Sequence, residues 1–412
     1  MSLVIEEAQL LDLRTGRTVW ELDAIALTQP NAPPVGNIHG DVVIVGAGIT
    51  GAFLADRFAR QGRDVIVIDR HAPQKASTSA STALLQWEID APMLELEQLY
   101  GYETAAGVYR RSVIAVREIA AIVATLPDDC SFALRETVFL SGDSLDAADL
   151  REEQRIRDKA GIHGAYLDQG ELAARFGFTR DAALLYGGSA QANPVRLARA
   201  LMDRAVAHGA RIVSPALATN YDCGVDGVAV ELETGATITG KLLLLANGYE
   251  MPPFVPGARH TIASTWAAAT RPQPDPSVFW ENRALVWEAS ETYAYMRVSG
   301  DNRIIIGGGD EAITDAAQRD ALTPAKVAML QETLQGFAPN ADTTLDAAWT
   351  GFFGETDDGL PMIGPVPGHP RCYAAFGYGG NGITFSAMAA DILSTLVKGG
   401  ADPAADWFAV DR

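Results

Sequence analysis

The chain of 412 residues predicts an α/β fold, α+β overall, in which a parallel-sheet domain is interleaved with an antiparallel-sheet domain. Alternating strand and helix patterns occur at the front of the chain, again from about Gln191, and once more from Arg371. The stretch from Arg259 to Asp310 instead carries short strands, two of them separated by Gly300-Asp301. Because α/β segments lie on both sides of this material, interleaved domains are expected rather than consecutive ones.

The front unit, from Asp41 to Asp69, has the pattern of a Rossmann-like dinucleotide-binding element. Two apolar strand patterns flank a helix pattern, and a G-x-G-x-x-G motif follows the first strand: Gly46, Gly48 and Gly51. Such glycines allow a tight turn, close approach of backbone N–H groups to a pyrophosphate, and close helix–sheet packing. The helix N-terminus adds partial positive charge for the phosphates. Asp69 ends the second strand, where an acid accepts hydrogen bonds from an adenosine ribose.

Helices are predicted at four later places in the chain. One spans about Met93 to Ala124, and the segment NPVRLARALMDRAVAHGA forms another that stops at Gly209. Thr323-Pro324 can cap and start a third, whose apolar residues repeat with helical spacing. The last stops at Gly399-Gly400. Residues 1–38 are predicted to form an N-terminal arm that ends in a turn-rich linker.

The composition and net charge of the chain argue against several classes of binding partner. A formal net charge of −20 argues against nucleic acid or an anionic membrane as partner, because the attraction to phosphate would have the wrong sign. The three cysteines are far apart and lack C-x-x-C spacing, so reduced thiols are expected and no metal site is predicted: Cys130, Cys223 and Cys372. No segment has the ~20 apolar residues that span a bilayer. The acidic start of the chain is unlike a signal peptide, and a cytoplasmic protein is expected.

Five segments resemble the FAD-dependent D-amino-acid oxidase superfamily, in the order in which that family carries them. They are VVIVGAGITG, GSAQANPVRLARAL, LLLLANGYE, WTGFFGETDDGLPMIGPVPG and CYAAFGYGGNGITFSAMAADIL. Within the superfamily the chain looks most like the glycine/sarcosine oxidase and gamma-glutamylputrescine oxidase branch, over roughly residues 40–400. The resemblance implies an FAD-dependent oxidoreductase that oxidises a C–N bond by hydride transfer to flavin N5 and gives an imine that water hydrolyses.

The resemblance also implies which residues bind FAD. The pyrophosphate would lie against Gly46, Ala47, Gly48, Ile49, Thr50 and Gly51, and the adenosine near Asp69, Arg70, Leu217, Ala246, Asn247 and Gly248. The isoalloxazine would follow the small residues Ser77, Thr78, Ser79, Ser81, Thr82 and Ala83. Its pyrimidine end would meet Gly351 and the segment Gly377, Tyr378, Gly379, Gly380, Asn381, Gly382, Ile383 and Thr384.

The last of these placements has a physical argument of its own. The helix that begins around Ile383 points its positive end at the glycine-rich turn from Gly377 to Gly382. Reduced flavin carries negative charge near N1 and C2=O, so a dipole of this sense favours hydride acceptance. The alternative is that these glycines only make a tight turn between a strand and a helix.

The chain departs from the family pattern where amino-acid oxidases bind the substrate carboxylate. The arginine that commonly stands two residues after the glycine of W-x-G is replaced by Phe353, and a second arginine found in some members is replaced by Gly380. Without both, an α-carboxylate would lack a bidentate partner in a dry site. The substrate is therefore expected to be a small amine or an N-substituted amino compound.

Two further departures concern the cofactor. A cysteine near Phe353 tethers the flavin in sarcosine oxidases, and this chain has none there, which predicts non-covalent FAD. Ile305 stands where sarcosine oxidases carry a lysine that promotes reaction with oxygen. The electron acceptor is therefore oxygen or an electron carrier.

Candidates for the substrate pocket come from one strand and from scattered aromatic residues. Tyr293, Tyr295 and Arg297 share a strand face by alternation, so the tyrosines could bind the substrate and the arginine a remote acid group. An exposed sheet face is the alternative. Four aromatic residues are candidates for an apolar cage around an amine cation: Trp87, Trp266, Phe353 and Tyr378. No histidine stands out, and no general base is assigned.

These patterns predict a division of the chain and leave rival functions. The FAD-binding domain would comprise residues 39–105, 190–250 and 345–412, and the substrate-binding domain residues 106–189 and 251–344. One rival to amine oxidation is an FAD-dependent oxidase or dehydrogenase of amino acids or 2-hydroxy acids. The other is a flavoprotein subunit without catalytic activity.

Overall fold

A computed structural model of the protein describes residues 3–4, 13–22, 30, 34, 36–73, 76–257 and 259–412. The described strands form three sheets, called here the central, small and long sheets. Much of the predicted N-terminal arm and its linker lies outside the described residues. The described parts of the arm contribute strands Leu3–Val4, Arg14–Arg17 and Ile38–His39 to the small and long sheets.

The central sheet has six described strands. In spatial order they are Arg211–Val213, Val65–Ile68, Val42–Val45, Leu242–Leu245, Cys372–Phe376 and Met362–Pro365. Neighbours pair in parallel except at the last edge, which is antiparallel. The strands Val42–Val45, Val65–Ile68 and Leu242–Leu245 are buried at every residue, as expected for a sheet covered on both faces.

Helices and the small sheet cover the two faces of the central sheet. Helices Ile49–Ala59, Pro194–Ala207 and Gly382–Val397 pack against one another on one side. On the other side, Val43 and Ile66 share a core with the small sheet. The strands of the small sheet, in spatial order, are Leu3–Val4, Ala218–Cys223, Val228–Leu232, Thr237–Gly240 and Ile38–His39.

The long sheet carries the antiparallel material that the sequence predicts. In spatial order its strands are Arg14–Arg17, Leu345–Thr356, His260–Thr270, Ile304–Glu311, Ala294–Val298, Leu285–Glu288, Ala133–Leu140, Ala182–Gln191 and Leu84–Leu85, with Ala165–Asp168 also paired to Ala182–Gln191. One described pair, Leu285–Glu288 with Ala133–Leu140, is parallel. The mixed fold predicted from the sequence is confirmed.

Two helix predictions need correction. The single helix predicted from Met93 to Ala124 is two helices, Met93–Tyr100 and Tyr102–Val123, because Gly101 adopts a φ of 80° between them. The helix predicted to start at Thr323-Pro324 is Ala316–Phe337, with Pro324 inside it. Its N-cap is Asp315, whose side chain accepts a hydrogen bond from the Gln318 N–H at 2.8 Å.

The remaining described helices are shorter or lie at the edge of the long sheet. They are the α-helices Ser77–Ala80, Ala147–Lys159 and Gln169–Phe176, and the 3₁₀ turns Val19–Glu21, Pro276–Val278, Glu281–Arg283, Gly379–Asn381 and Asp406–Phe408. Within the described ranges, no helix combines the length and the apolar character needed to cross a bilayer.

The predicted domain division stays a proposal. Strand Leu345–Thr356, which that division assigns to the FAD-binding domain, pairs within the long sheet. Leu84–Leu85 does the same. At these two strands the chain crosses between the central sheet and the long sheet. Both strands therefore border the space between the two sheets.

Candidate cofactor and substrate site

A cavity of about 1000 Å³ lies between the central and long sheets. This volume is at the upper end of the range for small-molecule and cofactor sites. Predicted cofactor residues along its wall are Gly46, Gly48, Ile49, Thr50, Asp69, Arg70, Ser77, Thr78, Ser81, Thr82, Ala83, Leu217, Ala246, Asn247, Gly248, Gly351, Tyr378, Gly379, Gly380, Asn381, Gly382 and Ile383. Residues distant in sequence thus share one cavity.

The first glycine motif forms a turn that leaves space for a ligand. Gly46 has a φ of +112°, and a Cβ at this position would collide with the carbonyl oxygen of Ala246. A Cβ at Gly51 would collide with the Gly46 carbonyl oxygen, so this glycine permits close helix–strand packing. Helix Ile49–Ala59 begins at this turn with no acidic residue in its first turn. Its positive end is therefore available to an anion in the cavity.

Asp69 closes the nucleotide end of the cavity. Its carboxylate accepts hydrogen bonds from the Ala47 N–H at 2.6 Å and the His71 N–H at 2.7 Å. Burial raises the pKa of Asp69 in spite of these two N–H groups. Arg70, beside it, forms an ion pair with Glu250. At this end the half-buried Asp69 carboxylate and the Arg70–Glu250 ion pair lie around Leu217, where the resemblance places the adenosine.

The small-residue segment from Ser77 to Ala83 is held in place through its backbone carbonyls. The Trp349 indole donates to Ala80 O at 2.7 Å, the Trp20 indole to Ser81 O at 2.9 Å, and Arg297 Nε to Thr82 O at 2.6 Å. The Thr78 hydroxyl accepts the Ile49 N–H at 2.9 Å. The segment is thereby tied to the start of the first helix.

The C-terminal glycine turn, Gly377 to Gly382, forms the opposite wall. Gly377 and Gly379 have positive φ angles of 70° and 53°. Helix Gly382–Val397 follows directly, as predicted, and its N-terminal residues Gly382 and Ile383 line the cavity. The positive end of this helix therefore faces the cavity.

The segment from Gln86 to Asp90, which precedes helix Met93–Tyr100, holds the C-terminal glycine turn by hydrogen bonds. The Asn381 side-chain N–H donates to Glu88 O at 2.8 Å, and the Thr384 hydroxyl donates to Gln86 O at 2.9 Å. The Gly380 N–H donates to the Asp90 carboxylate at 2.7 Å. The segment from Gln86 to Asp90 thus holds the turn at three points.

Several predicted residues do not line the cavity. Five predicted cofactor residues lie behind its wall: Ala47, Gly51, Ser79, Gly377 and Thr384. Among the substrate candidates, Trp87 donates to Gly187 O and Trp266 to the Thr323 hydroxyl, both from buried positions. Trp266 follows Thr265, which does line the cavity, and successive residues of a strand face opposite sides of the sheet.

Arg297 also lies away from the cavity. It shares a strand face with Tyr295, but it lies further along the strand and donates to the carbonyls of Thr82 and Ala192. Burial lowers the pKa of Arg297 to about 9. The predicted role as anchor for a remote acid group is therefore not supported by its position, which instead steadies the small-residue segment.

The end of the cavity beside the long sheet is called here the distal end. Four substrate candidates line the cavity: Tyr293, Tyr295, Phe353 and Tyr378. The lining residues that were not predicted include Gln86, Asp90, Thr265, Trp287 and Asp310. Asp310 directly follows a run of three glycines at the end of a strand, and this was the signal available in the sequence.

The two unpredicted acids are electrostatically coupled. Burial, together with the charges of Glu355 and Asp310, raises the pKa of Asp90 to about 6 in spite of the Gly380 N–H. Burial also raises the pKa of Asp310, although the Thr265 and Tyr293 hydroxyls favour its carboxylate. Asp90 lies deep within the protein but is exposed to the open cavity, and Asp310 is half-buried, so a ligand that excludes water would leave their negative charge poorly solvated.

The wall of the cavity contains buried polar atoms without partners. Gln86 Nε2 and Asn381 Oδ1 are buried and have no hydrogen-bond partner among the described residues, and both residues line the cavity. Buried polar groups are normally paired, so these atoms point to bound ligands with polar edges. Gln86 Nε2 is a donor, and together with the glycine turn and the helix N-terminus it fits a dinucleotide that carries a flavin.

The comparisons with known proteins agree with this geometry. The family model described as FAD dependent oxidoreductase matches residues 41–396. The chain therefore belongs to this family, and it is an FAD-dependent oxidoreductase. FAD is its cofactor, and a small-molecule substrate and an electron acceptor follow from that class.

Two curated relatives match shorter regions. The tRNA 5-methylaminomethyl-2-thiouridine biosynthesis bifunctional protein MnmC of Aromatoleum aromaticum is 32% identical over 105 residues, which is 22% of this chain and 16% of the relative. The gamma-glutamylputrescine oxidoreductase of Escherichia coli is 30% identical over 108 residues, 26% of this chain and 24% of the relative. The matched part thus spans less than a quarter of either relative's length.

A solved structure covers nearly the whole chain. Glycine oxidase from Geobacillus kaustophilus superposes with a TM-score of 0.73 at 19% identity, over 91% of this chain and 99% of its own. At this identity the likeness concerns the fold. It agrees with the mixed fold predicted from the sequence.

We expect FAD to be released when the protein is precipitated with acid. No cysteine lies among the described residues that line the cavity, so a thioether tether of the kind found in sarcosine oxidases has no sulfur there. After precipitation with trichloroacetic acid, the yellow colour should appear in the supernatant. Colour that stays in the protein pellet would contradict non-covalent binding.

Proposed function

We propose that this oxidoreductase oxidises the C–N bond of a small amine or an N-substituted amino compound to an imine, which water hydrolyses to a carbonyl compound and an amine. FAD, when bound, would supply the acceptor for the hydride that leaves the carbon next to the nitrogen, as the nitrogen lone pair forms the C=N bond.

The distribution of charge along the cavity carries the proposal. Among the described lining residues, the basic side chains are Arg70 and His71, and both lie at the nucleotide end. The distal end instead has Asp90, Asp310 and two tyrosines. An α-carboxylate placed there would meet carboxylates rather than a guanidinium, at high electrostatic cost. An amine cation would meet acceptors and aromatic faces.

Phe353 extends this argument. It stands where the family commonly has a carboxylate-binding arginine, and its side chain lines the cavity. An apolar ring at this position excludes water and gives no hydrogen bond to an acid. A substrate with an apolar or N-alkyl group there suits the site better than a zwitterionic amino acid.

Asp90 is the group best placed to accept a hydrogen bond from the ammonium group and to assist its deprotonation. The nitrogen must lose its proton before its lone pair can form the imine, and Asp90 lies beside the C-terminal glycine turn. With a pKa of about 6, it is mostly ionised at neutral pH and can accept a hydrogen bond from an ammonium group. Tyr293 and Tyr295, whose pKa values are raised by burial, remain neutral and orient the substrate.

The acceptor of the electrons is oxygen or an electron carrier. Ile305, which stands where sarcosine oxidases carry a lysine, is fully buried in the core and offers no charge to the cavity. Oxygen uptake during turnover, measured with an electrode, distinguishes the two. A cytoplasmic location is part of the same proposal.

An anaerobic titration tests the proposed reaction. We expect small primary and secondary amines to bleach the flavin absorbance of the holoenzyme, and 2-hydroxy acids to leave it unchanged. Bleaching by amino acids or hydroxy acids alone would replace amine oxidation by the rival oxidase function. Bleaching by dithionite alone would contradict turnover of all these compounds.

A further inference from the structure

We propose that the distal end binds a second, non-reacting ammonium group, so that the substrate is a diamine with two cationic nitrogens and no carboxylate. This inference rests on the proposed amine oxidation and names the class of amine. Its basis is that the distal end of the cavity carries two separate carboxylates, Asp90 and Asp310, where one amine would need only one.

The first carboxylate stands where the charge of the family pattern is reversed. Gly380 replaces an arginine found in some members, and a Cβ at Gly380 would lie 3.0 Å from Asp90 Oδ1. The side chain of Asp90 therefore occupies the space beside this position, and the Gly380 N–H holds it there at 2.7 Å. A group that binds an anion in such relatives is replaced here by one that binds a cation.

The second carboxylate comes from a different element of the fold. Asp310 lies near the end of strand Ile304–Glu311 in the long sheet, and the Tyr293 hydroxyl donates to its Oδ2. The Thr265 hydroxyl also favours this carboxylate, and Oδ1 is buried with no further partner among the described residues. A buried carboxylate oxygen in this state is a strong acceptor for a donor on the ligand.

A third acceptor supports a ligand rich in donors. Asn381 is 5% exposed, lines the cavity, and its Oδ1 has no partner among the described residues. Free acceptors thus face the cavity from both the glycine turn and the long sheet. A primary ammonium has three donors and no acceptor, which matches this wall.

Nearby cations do not neutralise the two acids. Lys326 is close enough to favour the charged form of Asp310, but its Nζ pairs with Glu311 at 2.6 Å. Glu355 adds negative charge near both acids. A single amine would leave one carboxylate without a counter-charge, whereas a diamine can pair with both.

Aromatic side chains suit the carbon chain between the two nitrogens. The rings of Tyr293 and Tyr295 lie 6.0 Å apart between centroids, tilted by 33°, and Phe353 lines the same cavity. Tyr295 lies against Gly307, where a Cβ would meet its hydroxyl at 2.5 Å. Methylene groups can pack on these rings while each ammonium reaches a carboxylate.

Anaerobic stopped-flow reduction of the holoenzyme tests the inference with matched pairs of amines. Putrescine is compared with butylamine, and cadaverine with pentylamine, by the reduction rate and the apparent Kd. We expect each diamine to exceed its monoamine in the ratio of rate to Kd by on the order of 100-fold, the effect of losing one partner of a buried charge pair. The difference should lie mainly in Kd.

Variants at Asp310 decide whether this acid causes the preference. Asp310→Asn keeps an acceptor for Tyr293 but removes the charge, and should abolish the preference for each diamine over its monoamine, mainly through a higher Kd for the diamine. Asp310→Glu should restore part of the preference. Glu291→Gln removes an exposed charge from the loop before Tyr293 and should behave like the parent protein. The flavin spectrum of each variant shows that it is folded and loaded.

The possible outcomes separate the two proposals. Equal reduction by monoamines and diamines would overturn the diamine inference and leave amine oxidation standing. A preference that survives in Asp310→Asn would overturn the role of the second carboxylate. Reduction by amino acids or hydroxy acids but by neither class of amine would overturn the proposed function and, with it, this inference.

Discussion

A Gly46→Ala variant is expected to purify without bound FAD. Gly46 adopts a φ of +112°, where a side chain is strained, and a Cβ would collide with the carbonyl oxygen of Ala246. The turn must therefore move away from the neighbouring strand, and the N–H groups that would face the pyrophosphate lose their positions. We expect the affinity for FAD to fall at least about 100-fold, or about 2.7 kcal/mol. Titration of the apoprotein, followed by flavin fluorescence, measures it.

Gly62→Ala is the matched control for this variant. Gly62 also has a positive φ, +76°, but no atom lies within 4 Å of the Cβ position, and the residue ends the same helix far from the cavity. It should lose stability by about 1–2 kcal/mol from backbone strain while it keeps its FAD. Normal FAD affinity in Gly46→Ala would show that the glycine turn is not the pyrophosphate site.

Replacing Arg157 with methionine should lower the free energy of unfolding by about 3–5 kcal/mol, the cost of removing one partner of a buried ion pair. Arg157 is fully buried, donates to Glu153 at 2.7 Å and lies 3.7 Å from Glu88. Four aromatic rings surround its guanidinium at 5.1–5.8 Å: Trp87, Tyr109, Phe139 and Tyr186. Methionine would leave two carboxylates without a counter-charge. Urea unfolding of the holoenzyme measures the change.

The loss of unfolding free energy in Arg157→Met should become smaller as the pH falls. Burial already raises the pKa of Glu88 above its ordinary value, and loss of Arg157 raises it further. A carboxyl whose pKa is higher in the folded state takes up its proton first in that state, so acidification stabilises the folded variant relative to the unfolded chain. The difference from the parent protein should therefore shrink as the pH falls through the pKa of the folded state.

Arg155→Met is the control on the same helix. Arg155 pairs with Glu152, and both side chains are largely exposed, so its removal should leave the free energy of unfolding nearly unchanged. Similar losses in the two variants would mean that burial of the Arg157 pair makes no difference. A loss in Arg157→Met that grows on acidification would contradict the assignment to its carboxylate partners.

The cofactor side of the molecule was largely predictable because its signals are local. A buried strand, the glycines after it and the helix that follows are adjacent in sequence, and the turn geometry at Gly46 leaves little choice of residue. The C-terminal glycine turn and the helix from Gly382 have the same character. Most residues of the predicted FAD-binding wall therefore belong to motifs whose members are close together in sequence.

The substrate side was less predictable because it depends on distant contacts. Alternation along a strand correctly grouped Tyr293 with Tyr295, but it could not show where the cavity ends, so Arg297 was included. Asp90 lies on a loop and Asp310 on a strand of the long sheet, far apart in sequence, and they come close enough to interact electrostatically only in the folded chain. Likewise, Asp315 rather than Thr323 caps its helix, and both residue types are good caps.

The short segment from Gln86 to Asp90 makes three different kinds of contact. Its carbonyls and the Asp90 carboxylate hold the C-terminal glycine turn, Glu88 approaches the buried Arg157, and Asp90 lines the distal end of the cavity. Amino-acid changes here will therefore be pleiotropic, altering cofactor retention, turnover and folding together. Natural variation in these five residues would be hard to interpret on its own, whereas Asp310 offers a probe of selectivity that is free of this entanglement.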